Sequence, residues 1–165
     1  MSTNLPGRDT KVDLSVKGKE YPPLKFKVEK SHIAAFAQAI DDPNKLYVDD
    51  KYAAKTKYKG IIAPPTYAYC FAGPLEPGKQ PPPLLVQIGL DAKMNPGLLV
   101  HGEQEFEYFA PIHPGDEITS VARIANLEHK PRKDGSKRGV MTIEITSKNQ
   151  KGEKVVVSRV VSIER

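Results

Sequence analysis

The sequence predicts an α+β domain in which a long antiparallel β-sheet is wrapped around a central α-helix. Three observations carry this. The stretch "TYAYCFA", residues 66–72, sits in the most apolar part of the chain and requires something to cover it. The C-terminal half contains four runs that alternate apolar and polar residues, the period of a strand with one wet face. A chain of 165 residues is the size of one domain with a single core, so the strands are the only available cover for the helix.

Taken in order, residues 1–23 are polar and lysine-rich with weak alternation in "KVDLSVKG", which predicts a partly ordered arm; a single domain then runs over 24–165. "LKFKVEK" alternates Leu24, Phe26 and Val28 against lysines and reads as a strand. Ser31 is a good N-cap for a helix "HIAAFAQAI" with Ile33, Phe36, Ala37 and Ile40 on one side, and Asp41, Asp42 and Pro43 end it because a residue before proline avoids the helical region. Asp49 or Asp50 caps a short helix "KYAAKTK" with Tyr52 and Ala53 facing inward. Pro64 and Pro65 suit the first turn of the central helix, where missing N–H groups are tolerated, and Gly73-Pro74 stops it. Residues 73–97 read as a long proline-rich connection, a type that tends to serve function or an interface. In "GEQEFEYFAPI" Gln104, Phe106 and Tyr108 share one face and Glu103, Glu105 and Glu107 the other. "PGDEITSVARIANLE", "VMTIEITSK" and "KVVVSRVVSIE" complete what reads as a meander.

Composition narrows the class of function. The single cysteine, Cys70, forms no internal disulfide, offers no metal-ligand spacing and reads as a core residue, which fits a reducing, cytoplasmic setting. No run approaches the roughly 20 apolar residues that span a bilayer, and no apolar signal core opens the chain, so no membrane association is expected. The net charge is +5, and "HKPRKDGSKR", residues 129–138, supplies +4 of it. That basic tip is open to several readings: a solvated loop, a contact for coenzyme A phosphates or an acidic carrier protein, or nucleic acid. The last is disfavoured because no aromatic residue is interleaved there.

The motifs "DPNKLY", "GIIAPPT" and "HGEQEFEY", in that order across residues 24–165, resemble the MaoC-like hot-dog-fold superfamily of (R)-specific enoyl-CoA hydratases and (3R)-hydroxyacyl dehydratases. The chain is most similar to the fatty-acid-synthase-type N-terminal dehydratase half, the non-catalytic subunit type. The resemblance implies a hydro-lyase with no cofactor and no metal, acting on acyl-CoA or acyl-carrier-protein thioesters. It also implies a homodimer or a MaoC-like partner subunit. In catalytic members an aspartate and a histidine five residues later move the protons, and a glycine N–H at the helix entrance polarises the thioester carbonyl.

On that pattern Asp42 and Asn44 occupy family positions, but Tyr47 stands where the histidine should be. A phenol titrates near ~10 rather than ~6.5 and is a poor base at neutral pH. Ala63 overlies a family histidine, and Pro64 overlies the glycine, leaving no N–H for the oxyanion. The expectation is a half-site that binds acyl chains in a groove lined by Tyr67, Phe71 and Leu75, with Gly60, Pro65 and His101 nearby and Lys57, Lys59, Arg132 and Lys133 meeting phosphate or a carrier protein, while the partner supplies Asp and His. Beside it stand blander readings. Asp42 bonds its own backbone, Tyr47 is a wall, His101 is a strand-end histidine with a structural hydrogen bond, His113 is an exposed turn residue, and Gly60 serves close backbone approach. The alternative function is a homodimeric acyl-CoA-binding module; thioester hydrolysis is disfavoured because the central helix carries no carboxylate and Glu76 comes late.

Overall fold

The computed structural model describes residues 9–72 and 84–165. Five antiparallel strands form one sheet: β1 (Leu24–Lys27), β2 (Leu99–Tyr108), β3 (Glu117–Pro131), β4 (Lys137–Lys148) and β5 (Lys154–Glu164). Their spatial order is β1-β3-β4-β5-β2. The period-two patterns place Met141, Ile143 and Ile145 of β4 and Val156 and Val160 of β5 in the core, all 2% exposed or less. The glutamates of β2 face outward as the alternation requires.

Three segments lie on the core face: α1 (Lys30–Ala39), the central segment Pro65–Ala72, and α3 (Leu84–Asp91), with the short α2 (Asp50–Ala54) at the margin. Two apolar clusters result. One gathers Val28, Ile33, Tyr47, Ile61, Ala63, Tyr67, Phe71, Ile112 and Val155 under α1 and the central segment. The other sits under α3 and includes Ile88, Met94, Ile124 and Met141. Residues 9–23, expected as an arm, run along β3 beyond β1, where Tyr21 N donates to Ala122 O at 2.9 Å and Gly18 N to Ile124 O at 2.8 Å. Val12 and Tyr21 are both buried in the second cluster.

Several expectations are corrected. The central segment is a 3-10 helix rather than an α-helix, entered by the bond from Tyr67 N to Pro64 O at 2.9 Å. Three residues per turn stack Thr66 and Tyr69 on one exposed face and turn Ala68 and Phe71 inward, so it is covered on two sides and not on most. The strands are not a simple meander: β2 lies at the far edge against β5, and residues 109–116 carry the chain across to β3 beside β1. The connection over 73–97 contains α3, whose periodicity is diluted by Gly89 and neighbouring prolines; Gly89 leaves room for the tip of Leu99, whose Cδ1 would lie 2.9 Å from a Cβ there. Helix α1 begins at Lys30 without a side-chain cap, so Ser31 lies inside it, and Ile40 is 44% exposed just past its end. Asp49 caps α2 through Tyr52 N at 3.0 Å, but Tyr52 itself points outward; only Ala53 is buried. The basic hairpin is tighter than ten residues, since β3 runs to Pro131 and β4 starts at Lys137.

Candidate functional site

Three chain segments, around residues 41–48, 58–65 and 108–116, converge at the entrance to the central 3-10 helix. Ile62 N donates to Leu46 O at 3.3 Å and Ala63 N donates to Ile112 O at 2.8 Å. The His113 ring lies with Nδ1 2.8 Å from Ile61 O, and His113 N donates to Asp116 Oδ2 at 2.8 Å. His113 is therefore a partly buried brace between two segments and not an exposed turn residue. These bonds have a chemical consequence at the helix mouth. Ile62 and Ala63 have already spent their N–H groups, and Pro64 and Pro65 have none to offer.

The mouth opens on a trough of about 380 Å³, lined by Tyr58, Ile62, Ala63, Pro65 and residues 108–112. Its volume lies within the range of small-molecule sites. The Tyr108 hydroxyl donates to Pro65 O, pinning β2 to the mouth, and partial burial pushes that hydroxyl up to about 12. Cations stand at the rim over aromatic rings: Lys57 Nζ is 5.0 Å from the Tyr58 centroid and Lys154 Nζ is 4.3 Å from that of Phe109. Lys59 is exposed and left-handed, with φ 58°.

Asp42 and Tyr47 are brought together, but not as an acid/base pair. Asp42 Oδ1 accepts Asn44 N at 3.2 Å while its own N–H donates to Ala37 O at 2.9 Å, closing α1. Asn44 caps the following turn through Leu46 N at 3.0 Å and is exposed. Tyr47 is only 6% exposed; burial, then the nearby Asp42 and Tyr58, hold its hydroxyl above the usual phenol range. Asp42 also lines a separate cleft of about 660 Å³ beside α1. Tyr47 thus lies near both Asp42 and Tyr58 as a buried core residue, and lines neither the cleft nor the trough.

The remaining expected residues fall elsewhere. Tyr67 and Phe71 do not line a groove: they are 1% and 2% exposed, Tyr67 meeting Phe26, Phe36 and Phe71 edge-on with the Phe36–Tyr67 centroids 5.3 Å apart, and Phe71 lying tilted against Phe26 at 5.1 Å. Burial raises the Tyr67 hydroxyl, which has no hydrogen-bond partner among the described residues. Leu75 and Glu76 lie outside the described residues. Cys70 is half-buried with its thiol raised by burial, the state of a core residue and not of a nucleophile. Gly60 is not needed for close approach, because a Cβ there would meet only His113 Nδ1 at an ordinary 3.9 Å. His101 stacks on Tyr69 at 6.0 Å, about 23 Å along β2 from Tyr108. Arg132 and Lys133 sit beyond the far end of β3, about 46 Å along the strand from Glu117 and the mouth. Arg132 there donates to Lys137 O and Glu164 O at 2.7 and 3.0 Å. Tyr58, Tyr108 and His113, in contrast, belong to the site and were not among its expected residues.

Residues 15–158 match the family described as "FAS1-like, dehydratase domain region". The chain belongs to this dehydratase family. A UPF0336 protein from Streptomyces avermitilis is 33% identical over 120 residues, covering 71% of this chain and 74% of the relative. Among solved structures, a C-terminally truncated HadBC (3R-hydroxyacyl-ACP dehydratase) complex from Mycobacterium tuberculosis superposes with a TM-score of 0.69 at 19% identity, over 90% of this chain and 96% of that one. A MaoC-like dehydratase from Rhodospirillum rubrum gives 0.62 at 21% identity, over 90% and 93%. The fold is the hot-dog fold, α+β, as the sheet and its relatives agree. No helix among the described residues is long and apolar enough to cross a membrane.

Proposed function

We propose that this chain is the acyl-binding, assembly-providing subunit of a cytoplasmic (R)-specific enoyl thioester hydratase or 3-hydroxyacyl thioester dehydratase, working beside a MaoC-like subunit that supplies the catalytic aspartate and histidine. The observation that carries the reading is the helix mouth. Across residues 62–65 no backbone N–H is free, so the developing enolate oxygen of a thioester finds no donor in the run where its family relatives place one. Tyr47, buried and with its hydroxyl held above the usual phenol range, stays protonated and is a poor base at neutral pH. What survives is shape. The aromatic trough accepts the apolar part of the substrate, and Lys57, Lys59 and Lys154 at its rim suit the phosphates of coenzyme A or of a carrier-linked arm. The likeness to one chain of a dehydratase complex is consistent with a paired arrangement.

Co-expression tests this. Hydration of crotonyl-CoA is expected only when the chain is produced with a MaoC-like partner bearing both Asp and His, and the isolated chain is expected to bind without turnover. Turnover by the isolated chain at the rate of the pair overturns the reading.

A further inference from the structure

Strand β2 is a ten-residue sheet edge, and among the described residues no strand pairs with its outer side. Alternate residues along such an edge offer N–H and C=O groups to an incoming strand. Many proteins shorten their edges to prevent pairing; this one is long, so its side chains must decide what pairs with it. The outer face of β2 carries Glu103, Glu105 and Glu107, opposite Val161, Arg159 and Val157. Arg159 is shared among Glu105 at 3.1 Å, Glu107 at 3.3 Å and Glu144 at 2.9 Å, while Arg123 holds Glu144 at 2.8 Å. Among the described residues Glu103 enters no ion pair. Carboxylates therefore outnumber guanidiniums on this face, in a chain whose total charge is +5.

The core side of the same edge carries exposed aromatic rings. Tyr69 and Phe109 are 47% and 49% exposed, and Tyr69 stacks on His101. A partner that covers these rings while extending the sheet must keep its own core face on the same side. Antiparallel pairing then sets Glu103, Glu105 and Glu107 opposite outward-facing residues of the partner strand. For a second copy of this chain, the central register opposes Glu105 to itself and Glu103 to Glu107. Sliding by two residues opposes Glu103 to Glu105, or Glu105 to Glu107. Like charges directly opposite destabilise a strand pair, so every nearby register is penalised.

We infer that the β2 glutamates select the partner: they bar pairing with a second copy and admit a hot-dog subunit whose edge strand presents Lys or Arg at alternate outward positions. This rests on the paired-subunit reading above and adds the chemistry of the facing strand. The isolated chain is expected to sediment as a monomer at low salt. Glu103→Lys sacrifices no ion pair among the described residues and sets lysine against Glu107 of the other copy; it should lower the self-dissociation constant by roughly tenfold or more. The triple change Glu103→Gln, Glu105→Gln, Glu107→Gln should act in the same direction, as should about 1 M salt on the unaltered chain, where the Debye length falls to ~3 Å. Thermal unfolding of each variant establishes that it is folded. A homodimer already present at low salt overturns the inference, as do variants with the same mass as the original chain. The two readings separate cleanly: an active co-expressed pair with no effect of the glutamates defeats the selection device alone, whereas glutamate-dependent self-association with no turnover in any pairing defeats the functional reading alone.

Discussion

Replacing Tyr47 by histidine sets an imidazole beside Asp42, and replacing Pro64 by glycine restores a backbone N–H at the mouth of the central helix. The expected gains follow from what each site lacks. A positioned acid/base contributes typically ~10²–10⁴ in rate. One oxyanion donor contributes about 10²–10³. Because Ile62 N and Ala63 N are committed to Leu46 O and Ile112 O at 3.3 and 2.8 Å, no neighbour in the run compensates for the proline. Treated as independent, the two deficits multiply to about 10⁴–10⁷, an upper bound because groups that act as a unit are not additive. Tyr47→His alone should leave the isolated chain still ~10²–10³ short of the double variant. The assay is loss of the conjugated-thioester absorbance of crotonyl-CoA with the purified single chain, accompanied by thermal unfolding, since Tyr47 is 6% exposed and its replacement disturbs the core. If Tyr47→His alone equals the double variant, the mouth has a donor that the bonds at Ile62 and Ala63 do not account for, and the reasoning is wrong.

Tyr67→Phe removes a buried hydroxyl that has no partner among the described residues. It should leave stability unchanged or raise it by about 1 kcal/mol, roughly 2–4 °C in Tm by calorimetry, and a loss of that size would reveal a hidden acceptor. Gly139→Ala forces a Cβ to within 2.4 Å of Val12 Cγ2 and 3.2 Å of Met94 Cε, so the stretch carrying Thr10 and Val12 must shift. A cost of about 1–3 kcal/mol in denaturant unfolding is expected, with proteolysis appearing first ahead of β1. Tyr47, Tyr67 and Tyr108 all have hydroxyls raised in the folded state. Their contribution is therefore fully present below the unfolded phenol pKa of about 10 and is lost as pH climbs toward the folded values. Urea midpoints measured upward from pH 9 should fall, and Tyr108→Phe should flatten the part of that decline below about pH 12.

The faces of the strands were legible in the sequence because a period of two leaves little choice: Gln104 and Phe106 inward, Glu103 and Glu105 outward. Strand order was not legible, since the same alternation serves a strand at either edge; the pairing of β2 with β5 and of β1 with β3 joins residues far apart in the chain. Helix α3 was missed because prolines surround it in the sequence and Gly89 interrupts its apolar run. Within the site, Pro64 and Tyr47 could be read directly, because what they lack is chemical and needs no coordinates. Tyr67 and Phe71 could not be placed, because an apolar side chain on a central helix serves equally as core or as groove wall. His113 had one local signal, the "HPGD" turn, but its bond to Ile61 O spans 52 positions and is invisible in the chain's order.

The turn at residues 132–136 closes the β3–β4 hairpin at the end of the molecule opposite the trough, with Lys133 exposed at its tip. That geometry provides a handle. A fluorophore, resin or electrode linked through this corner would present every copy in the same orientation, with the aromatic trough turned toward the bulk liquid.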